Sequence, residues 1–199
     1  MKTTTLAILV ALAPLSLGTA CSKKDSASAP AVMFDVDGVN ALVPADLKDK
    51  LVFEKRDILE ERGRKATTYT VVAPKGWQPR MKGFASLEPA KDGPDLGFMT
   101  SFGVGGNCDG LCKAKNWAET ADKVNFSQFK DDKVVDEKTT KTSRMLIAEK
   151  GENTYVVYAW WSDGAPRYHT CQATLEAPVK GAAKAFAKAC EAVAIAGED

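Results

Sequence analysis

Alternation of apolar and polar residues with a period of two runs through much of the chain after position 50 and predicts β-strands. Residues 51–61 and 66–73 flank a charged turn that contains Gly63, and we expect them to form a hairpin. The charged segment 133–142 is typical of an edge strand or a loop. The other alternating segments are 84–88, 96–105, 144–149, 154–162 and 167–176. We expect the last three of these to form a meander.

Apolar residues recur at helical spacing in two further segments, 113–129 and 178–190, and predict two helices. The helix at 113–129 would pack Trp117 and its apolar neighbours onto the strand at 96–105. The helix at 178–190 begins with Pro178, and proline is favoured in a first helical turn. The sequence therefore predicts an α+β domain, a largely antiparallel β-sheet of hairpins and a meander covered by two helices. The apolar stripe of the second helix comprises Val179, Ala182, Ala183, Phe186, Cys190 and Val193.

The stretch 32–43 carries Asp37-Gly38 between two apolar runs, which is a strong short-range signal for a hairpin with a two-residue turn. Pairing the residues around that turn places most of the apolar side chains on one face. We therefore predict a first hairpin over 32–43. The residues on its apolar face would be Val32, Phe34, Val36, Val39, Ala41 and Val43.

The same stretch is similar to the first motif of haloacid-dehalogenase-type phosphatases, an apolar run followed by Asp-x-Asp-Gly. The resemblance implies that Asp35 would attack phosphorus and that Asp37 would act as general acid and base, with magnesium between them. That motif should end a central parallel strand, whereas here it begins a strand-rich domain. A metal-dependent phosphohydrolase using Asp35 and Asp37 is therefore the alternative function, and the hairpin is the expected structure.

The order of elements over 51–195 resembles the PsbP-like fold. The residues that carry this resemblance are Pro74-Lys-Gly-Trp77 after a strand, the meander and the terminal helix. Members of that family are mostly non-catalytic binding or assembly proteins, so the resemblance implies a partner rather than a reaction.

The N-terminus has the three parts of a secretory signal: Lys2, an apolar run over 6–17 and the small residues Gly18 and Ala20. The apolar run is too short to span a bilayer, which needs about 20 residues. Cys21 follows directly and is succeeded by a polar tether, so the junction resembles that of a bacterial lipoprotein. The resemblance implies that Cys21 is acylated, although Gly18 replaces the Leu that the family prefers, and ordinary cleavage after Ala20 is the alternative.

These features divide the chain into a signal peptide at 1–20, a lipidated tether at 21–31 and one globular domain at 32–199. The resemblance to lipoproteins implies the periplasmic side of the cell envelope, at the outer membrane rather than the inner, because Ser22 follows the cysteine where enteric lipoproteins destined for the inner membrane have Asp. The 27 basic and 26 acidic side chains are nearly balanced. This balance argues against a nucleic-acid-binding protein, which needs a basic surface to neutralise phosphates.

Four cysteines remain after Cys21, and an even number in an oxidising compartment indicates two disulfides. If the terminal helix folds back over the last predicted strand, Cys171 and Cys190 reach similar heights on facing surfaces. We therefore predict a disulfide between Cys171 and Cys190. Cys108 and Cys112 would then close a small ring across a turn. Redox chemistry, or a zinc site with Cys171 and His169, are the alternatives for that pair.

His169 is the only histidine, and it shares a strand face with Cys171, so we expect a structural role rather than a catalytic base. Aromatic residues are concentrated in the two neighbouring predicted strands 154–162 and 167–176, where they could stack on a sugar or a peptide. Alternation places Trp160 and Trp161 on opposite faces. We expect a non-catalytic envelope lipoprotein that needs no metal or cofactor and binds a protein or glycan partner. The aromatic residues are Tyr155, Tyr158, Trp160, Trp161 and Tyr168.

Overall fold

Two antiparallel sheets and two short α-helices make up the described part of the chain, which confirms the predicted α+β class. The computed structural model describes residues 32–62, 65–107, 116–119, 126–161 and 168–196. The predicted signal segment, Cys21 with its predicted tether, Cys108 and Cys112 lie outside these residues. No helix in the described ranges is long and apolar enough to span a membrane.

The smaller sheet has the strand order β1-β2-β10. Strands β1 (Phe53–Arg62) and β2 (Lys65–Pro74) pair from Phe53↔Pro74 to Arg62↔Lys65, which confirms the predicted hairpin. Strand β10 (Val193–Ala196) adds to the other edge of β2 and was not predicted. Four residues are too short a segment for alternation to stand out, so only the pairing with β2 identifies this strand.

The larger sheet has the order β3-β4-β5-β9-β8-β7-β6. The predicted meander is confirmed as β7, β8 and β9, and β6 is the charged edge strand, with all its residues exposed. The bounds are β3 (Gln78–Pro79), β4 (Ser86–Glu88), β5 (Ser101–Asn107), β6 (Lys133–Thr139), β7 (Ser143–Lys150), β8 (Asn153–Trp161) and β9 (Tyr168–Leu175).

Helix α2 (Ala183–Cys190), preceded by a 3-10 turn at Lys180–Ala182, covers the inner face of the larger sheet. Its Phe186 is fully buried, and its ring centroid lies 5.0 Å from that of Phe53 and 6.1 Å from that of Phe102. Phe186 therefore joins residues of both sheets in one core. The helix ends at Cys190, earlier than its apolar stripe suggests, because Val193 already belongs to β10.

The predicted disulfide between Cys171 and Cys190 is confirmed, with the two Cα atoms 5.3 Å apart. It joins the middle of β9 to the last turn of α2, and both cysteines are fully buried. The cross-link therefore fixes the C-terminal end of α2 to the larger sheet.

The hairpin predicted over 32–43 is wrong, because this stretch forms helix α1 (Val36–Ala41) after an extended lead. Asp35 caps the helix by accepting a hydrogen bond from the Gly38 N–H (2.9 Å). The Asn40 side chain donates to the Phe53 carbonyl (3.0 Å) and accepts from the Phe53 N–H (2.7 Å). These contacts with β1 are non-local, and they override the local preference of Asp-Gly for a turn.

The strand predicted over 96–105 starts too early, since β5 begins only at Ser101. Gly97 has φ 95°, and the Thr100 hydroxyl donates to the Leu96 carbonyl (2.6 Å), so the chain turns before it enters the sheet. Phe98 therefore projects into solvent, 90 % exposed, rather than facing the core.

The continuous helix predicted over 113–129 does not form where the structure describes this segment. Trp117–Glu119 and Ser127–Phe129 are separate 3-10 turns, while 113–115 and 120–125 lie outside the described residues. Trp117 and Phe129 pack on the outer face of β7 and β8 instead of on β5. Of the predicted apolar stripe, only Trp117 lies within the described residues, and it is buried in a 3-10 turn rather than in a helix.

Candidate binding groove

A groove of about 490 Å³ lies on the outer face of the larger sheet, over β4, β5 and β9. Trp117, Phe126 and Phe129 cover the same face over β7 and β8. Among the described residues, this cover does not extend to the groove lining. Within the described ranges, this face of the sheet therefore has one packed and one accessible half.

The floor of the groove follows from the alternation of β5 and β9. In β5, Phe102 and Val104 point into the core, so Ser101, Gly103 and Gly105 face outward. The outward residues of β9 are Thr170, Gln172 and Thr174. The floor is thus lined by small residues and by uncharged side chains that can both donate and accept hydrogen bonds.

Gly103 accommodates the close approach of β4 to this floor. A Cβ atom at this position would lie 3.3 Å from the Ala85 carbonyl oxygen and 3.3 Å from the Ser86 Cβ. A larger side chain would also fill the groove from below. Glycine therefore permits both the strand pairing and the open floor.

Glu60 forms part of one wall, where the smaller sheet meets the larger one, and the buried Tyr69 holds it in place. The Tyr69 hydroxyl donates to Glu60 Oε2 (3.0 Å) and accepts from the Gly106 N–H (2.9 Å). Glu60 lines the groove although only 5 % of it is exposed. The bond from Tyr69 thus fixes the Glu60 carboxylate at the edge of the groove.

The rim also has an apolar part, which consists of Met81, 54 % exposed, and Phe84, 46 % exposed. The loop that carries them is held by two backbone bonds, from the Glu61 N–H to the Gly83 carbonyl (3.0 Å) and from the Phe84 N–H to the Met81 carbonyl (3.3 Å). Gly83, with φ 81°, makes the turn between them. Phe84 therefore stands at the rim in a defined position.

The sequence did not identify the groove residues as a site. It predicted strands at 84–88 and 167–176, but the groove depends on the pairing of β9 with β5 across a long sequence separation. The available signal was the repeated glycine in Gly103, Gly105 and Gly106, which is unusual inside a strand and marks a close approach of backbone or ligand.

His169 lies on the inner face of β9 and is fully buried, which confirms its predicted core position. Its ring stacks on Trp160 with centroids 5.4 Å apart, and Trp160 in turn stacks on Tyr158 at 5.2 Å. Because His169 is the only histidine of the chain, the groove on the outer face has no imidazole in its lining.

Four of the predicted aromatic residues pack against the two cores rather than forming an open platform: Tyr155, Tyr158, Trp160 and Trp161. Trp160 packs against the inner core and Trp161 against the outer one, so the prediction of opposite faces is confirmed. Tyr155 lies 5.3 Å from the Phe129 ring. Burial raises the pKa of the Tyr158 hydroxyl, so this group stays protonated at neutral pH.

Asp35 and Asp37, the residues of the phosphatase resemblance, do not follow a strand. Asp35 forms an ion pair with Lys188 (2.6 Å), and the pKa of its carboxyl is lowered by that bond and by the Gly38 N–H. Asp37 lies in the first turn of α1. Among the described residues, no three His, Cys, Asp or Glu side chains group closely enough to hold a metal ion.

No family model and no curated protein matches this sequence.

Proposed function

We propose that the chain is a non-catalytic lipoprotein of the bacterial cell envelope, anchored through Cys21, that binds an oligosaccharide of the envelope in the groove over β4, β5 and β9. A protein partner in the same groove is the other candidate. The observation that carries the proposal is the pairing of a hydroxyl- and amide-lined floor with an exposed Phe84 at the rim.

The chemistry of the lining suits a sugar chain. Sugar hydroxyls both donate and accept hydrogen bonds, as do the side chains of Thr170, Gln172 and Thr174. The apolar face of a sugar ring packs well against an aromatic ring, and Phe84 offers one at the edge of the floor. A pocket that combines an apolar surface with a few fixed polar groups is typical of small-ligand and glycan sites.

The test is binding of the full chain to a panel of soluble oligosaccharides, including β-linked amino-sugar oligomers, by isothermal titration calorimetry. We expect Phe84→Ala to weaken binding about three- to tenfold, from the usual contribution of one aromatic contact. Gln172→Ala should weaken it by a similar factor through a lost hydrogen bond.

Phe98→Ala is the matched control, because Phe98 is a more exposed phenylalanine that does not line the groove. Equal losses in Phe84→Ala and Phe98→Ala would contradict the proposal. If no oligosaccharide binds, cross-linking in detergent-solubilised envelope, with Phe84→Ala as the comparison, distinguishes a protein partner in the groove from no partner there.

A further inference from the structure

A second cavity of about 540 Å³, which we call the edge cleft, lies where an edge of the smaller sheet meets an edge of the larger one. Strand β1 forms one side, and β3 with the loop after it forms the other. At one end Arg56 Nη1 donates to the Trp77 carbonyl (3.0 Å). At the other end the Glu61 N–H donates to the Gly83 carbonyl (3.0 Å). The edge of β1 is open between these two contacts.

Alternation along β1 decides which backbone groups face the cleft. Antiparallel neighbours bond through every second residue, so the N–H and C=O of the residues in between point away from the partner strand. Phe53 points away from β2, since both its backbone groups bond the Asn40 side chain, and so does Glu61, whose N–H bonds the loop after β3. The β1–β2 register is continuous between them. Asp57 and Leu59 therefore direct their backbone groups into the cleft.

The backbone N–H and C=O groups of Asp57 and Leu59 have no hydrogen-bond partner in the part of the chain that the structure describes. The Asp57 side chain is engaged separately, because its carboxylate accepts from the Thr70 hydroxyl (2.7 Å). Donors and acceptors that alternate along a strand edge are complemented by the backbone of another extended chain. The open edge of β1 therefore favours a peptide strand as the ligand.

Three large apolar side chains at the cleft keep about half of their surface exposed: Leu59 (48 %), Met81 (54 %) and Phe84 (46 %). They differ from Ile58 and Leu87, which also line the cleft but are buried in the core. An apolar side chain of a bound peptide can thus cover surface that the fold itself leaves open. Charge does not select the ligand, because the lining carries equal numbers of basic and acidic residues. These are Arg56, Lys82, Asp57 and Glu61.

We propose that the edge cleft binds an extended peptide segment of a partner protein, which adds to the free edge of β1 as a short strand. Its backbone bonds Asp57 and Leu59, and the peptide residue opposite Leu59 is apolar. The edge between Arg56 and Glu61 spans about 17 Å at the rise of a strand, which admits about four or five peptide residues. This site goes beyond the proposed function, since it requires neither the anchor nor the oligosaccharide.

The first experiment follows amide hydrogen exchange of the isotope-labelled full chain by NMR. The probes are capped hexapeptides that alternate threonine with valine, leucine or phenylalanine. In the free protein the amides of Asp57 and Leu59 should exchange fast, and those of Arg56 and Ile58, which bond β2, should exchange slowly. At a peptide concentration of about ten times the Kd, exchange at Asp57 and Leu59 should slow on the order of tenfold, with Arg56 and Ile58 unchanged.

Two variants of one residue separate the backbone bond from the side-chain contact. Leu59→Pro removes the N–H that faces the cleft, and proline is tolerated on the free edge of a sheet. Leu59→Ala is the matched control, because it loses the side chain but keeps the N–H. Leu59→Ala should weaken binding of the tightest probe about two- to fivefold, and Leu59→Pro should weaken it about a further fivefold. Circular dichroism checks that both variants are folded.

The proposal is overturned if no probe slows exchange at Asp57 and Leu59, if Arg56 and Ile58 respond equally, or if Leu59→Pro and Leu59→Ala bind alike. If Leu59→Pro does not fold, the alternation of exchange along β1 decides the question without it. Leu59 does not line the oligosaccharide groove, so its variants leave that proposal untouched. Phe84 lines both sites and is therefore not varied in this experiment.

Discussion

Asp35 and Lys188 form an ion pair at 2.6 Å, although 153 positions separate them in the chain. The bond fastens the first helix, which follows the predicted tether, to the last helix, which the disulfide fastens to β9. Gly38 makes this contact possible, because a Cβ atom there would overlap the Asp35 carboxylate and the Lys188 ammonium. The two ends of the domain are thus held together at one point.

We expect the stabilisation from this ion pair to disappear in acid. The pKa of Asp35 is lowered from its ordinary 3.8, so its contribution is fully present above that value and is lost as pH falls through the folded-state pKa. Asp35→Asn keeps a capping oxygen but removes the charge. The urea denaturation midpoints of wild type and Asp35→Asn should differ at about pH 6 and converge as the pH falls to about 2.

Asp37→Asn is the control for this prediction, since it removes the same charge from the first turn of α1 without touching Lys188. A pH-dependent difference of equal size in Asp37→Asn would mean that the general charge of α1, rather than the ion pair, is responsible.

Phe186 and Phe98 provide a second prediction, because the same side chain occupies opposite environments. Phe186→Ala should destabilise the domain by about 3 to 5 kcal/mol, since it leaves a cavity between the two sheets. Phe98→Ala should change the free energy of unfolding by less than about 0.5 kcal/mol, because Phe98 is exposed. Chemical denaturation of both variants tests the contrast, and a small effect of Phe186→Ala would contradict the position of the core.

Local patterns predicted the elements whose partners are adjacent in sequence. The hairpin of β1 and β2, the meander of β7, β8 and β9, and the Cys171–Cys190 disulfide all follow from alternation and short connections. Helix α1 could not be predicted in this way, because Asn40 is fixed by the backbone of Phe53. The strongest local turn signal was therefore outweighed by contacts made only in the folded chain.

The candidate groove could not be predicted from the sequence for a related reason. It lies where non-neighbouring elements meet, between β1, the 80–85 loop and the β5–β9 pair. Phe84 carries no motif, and alternation cannot show which outward-facing residues stay uncovered. The structure identifies the groove residues by their position in the fold.

The membrane anchor is tested by Cys21→Ser. If Cys21 is acylated, the variant should appear in the soluble periplasmic fraction, while the wild type sediments with membranes, because acyl chains supply affinity that a nearly neutral surface lacks. Metabolic labelling with a palmitate analogue should mark only the wild type. A membrane-bound, unlabelled Cys21→Ser protein would contradict the proposed anchor.

The last prediction concerns the Cys171–Cys190 bond. A disulfide that closes a loop of this length stabilises by about 3 kcal/mol in the chain-entropy model, so Cys190→Ala should cost about 2 to 5 kcal/mol. The loss should appear first as faster amide exchange from Gly181 onward, because Ala183, Ala185 and Ala189 bury little area and α2 depends on Phe186 and the cross-link. Exchange should stay slow in β8, which is held by β7 and β9. Uniform acceleration across β8 and α2 would instead mean that the bond stabilises the whole domain rather than its closing helix.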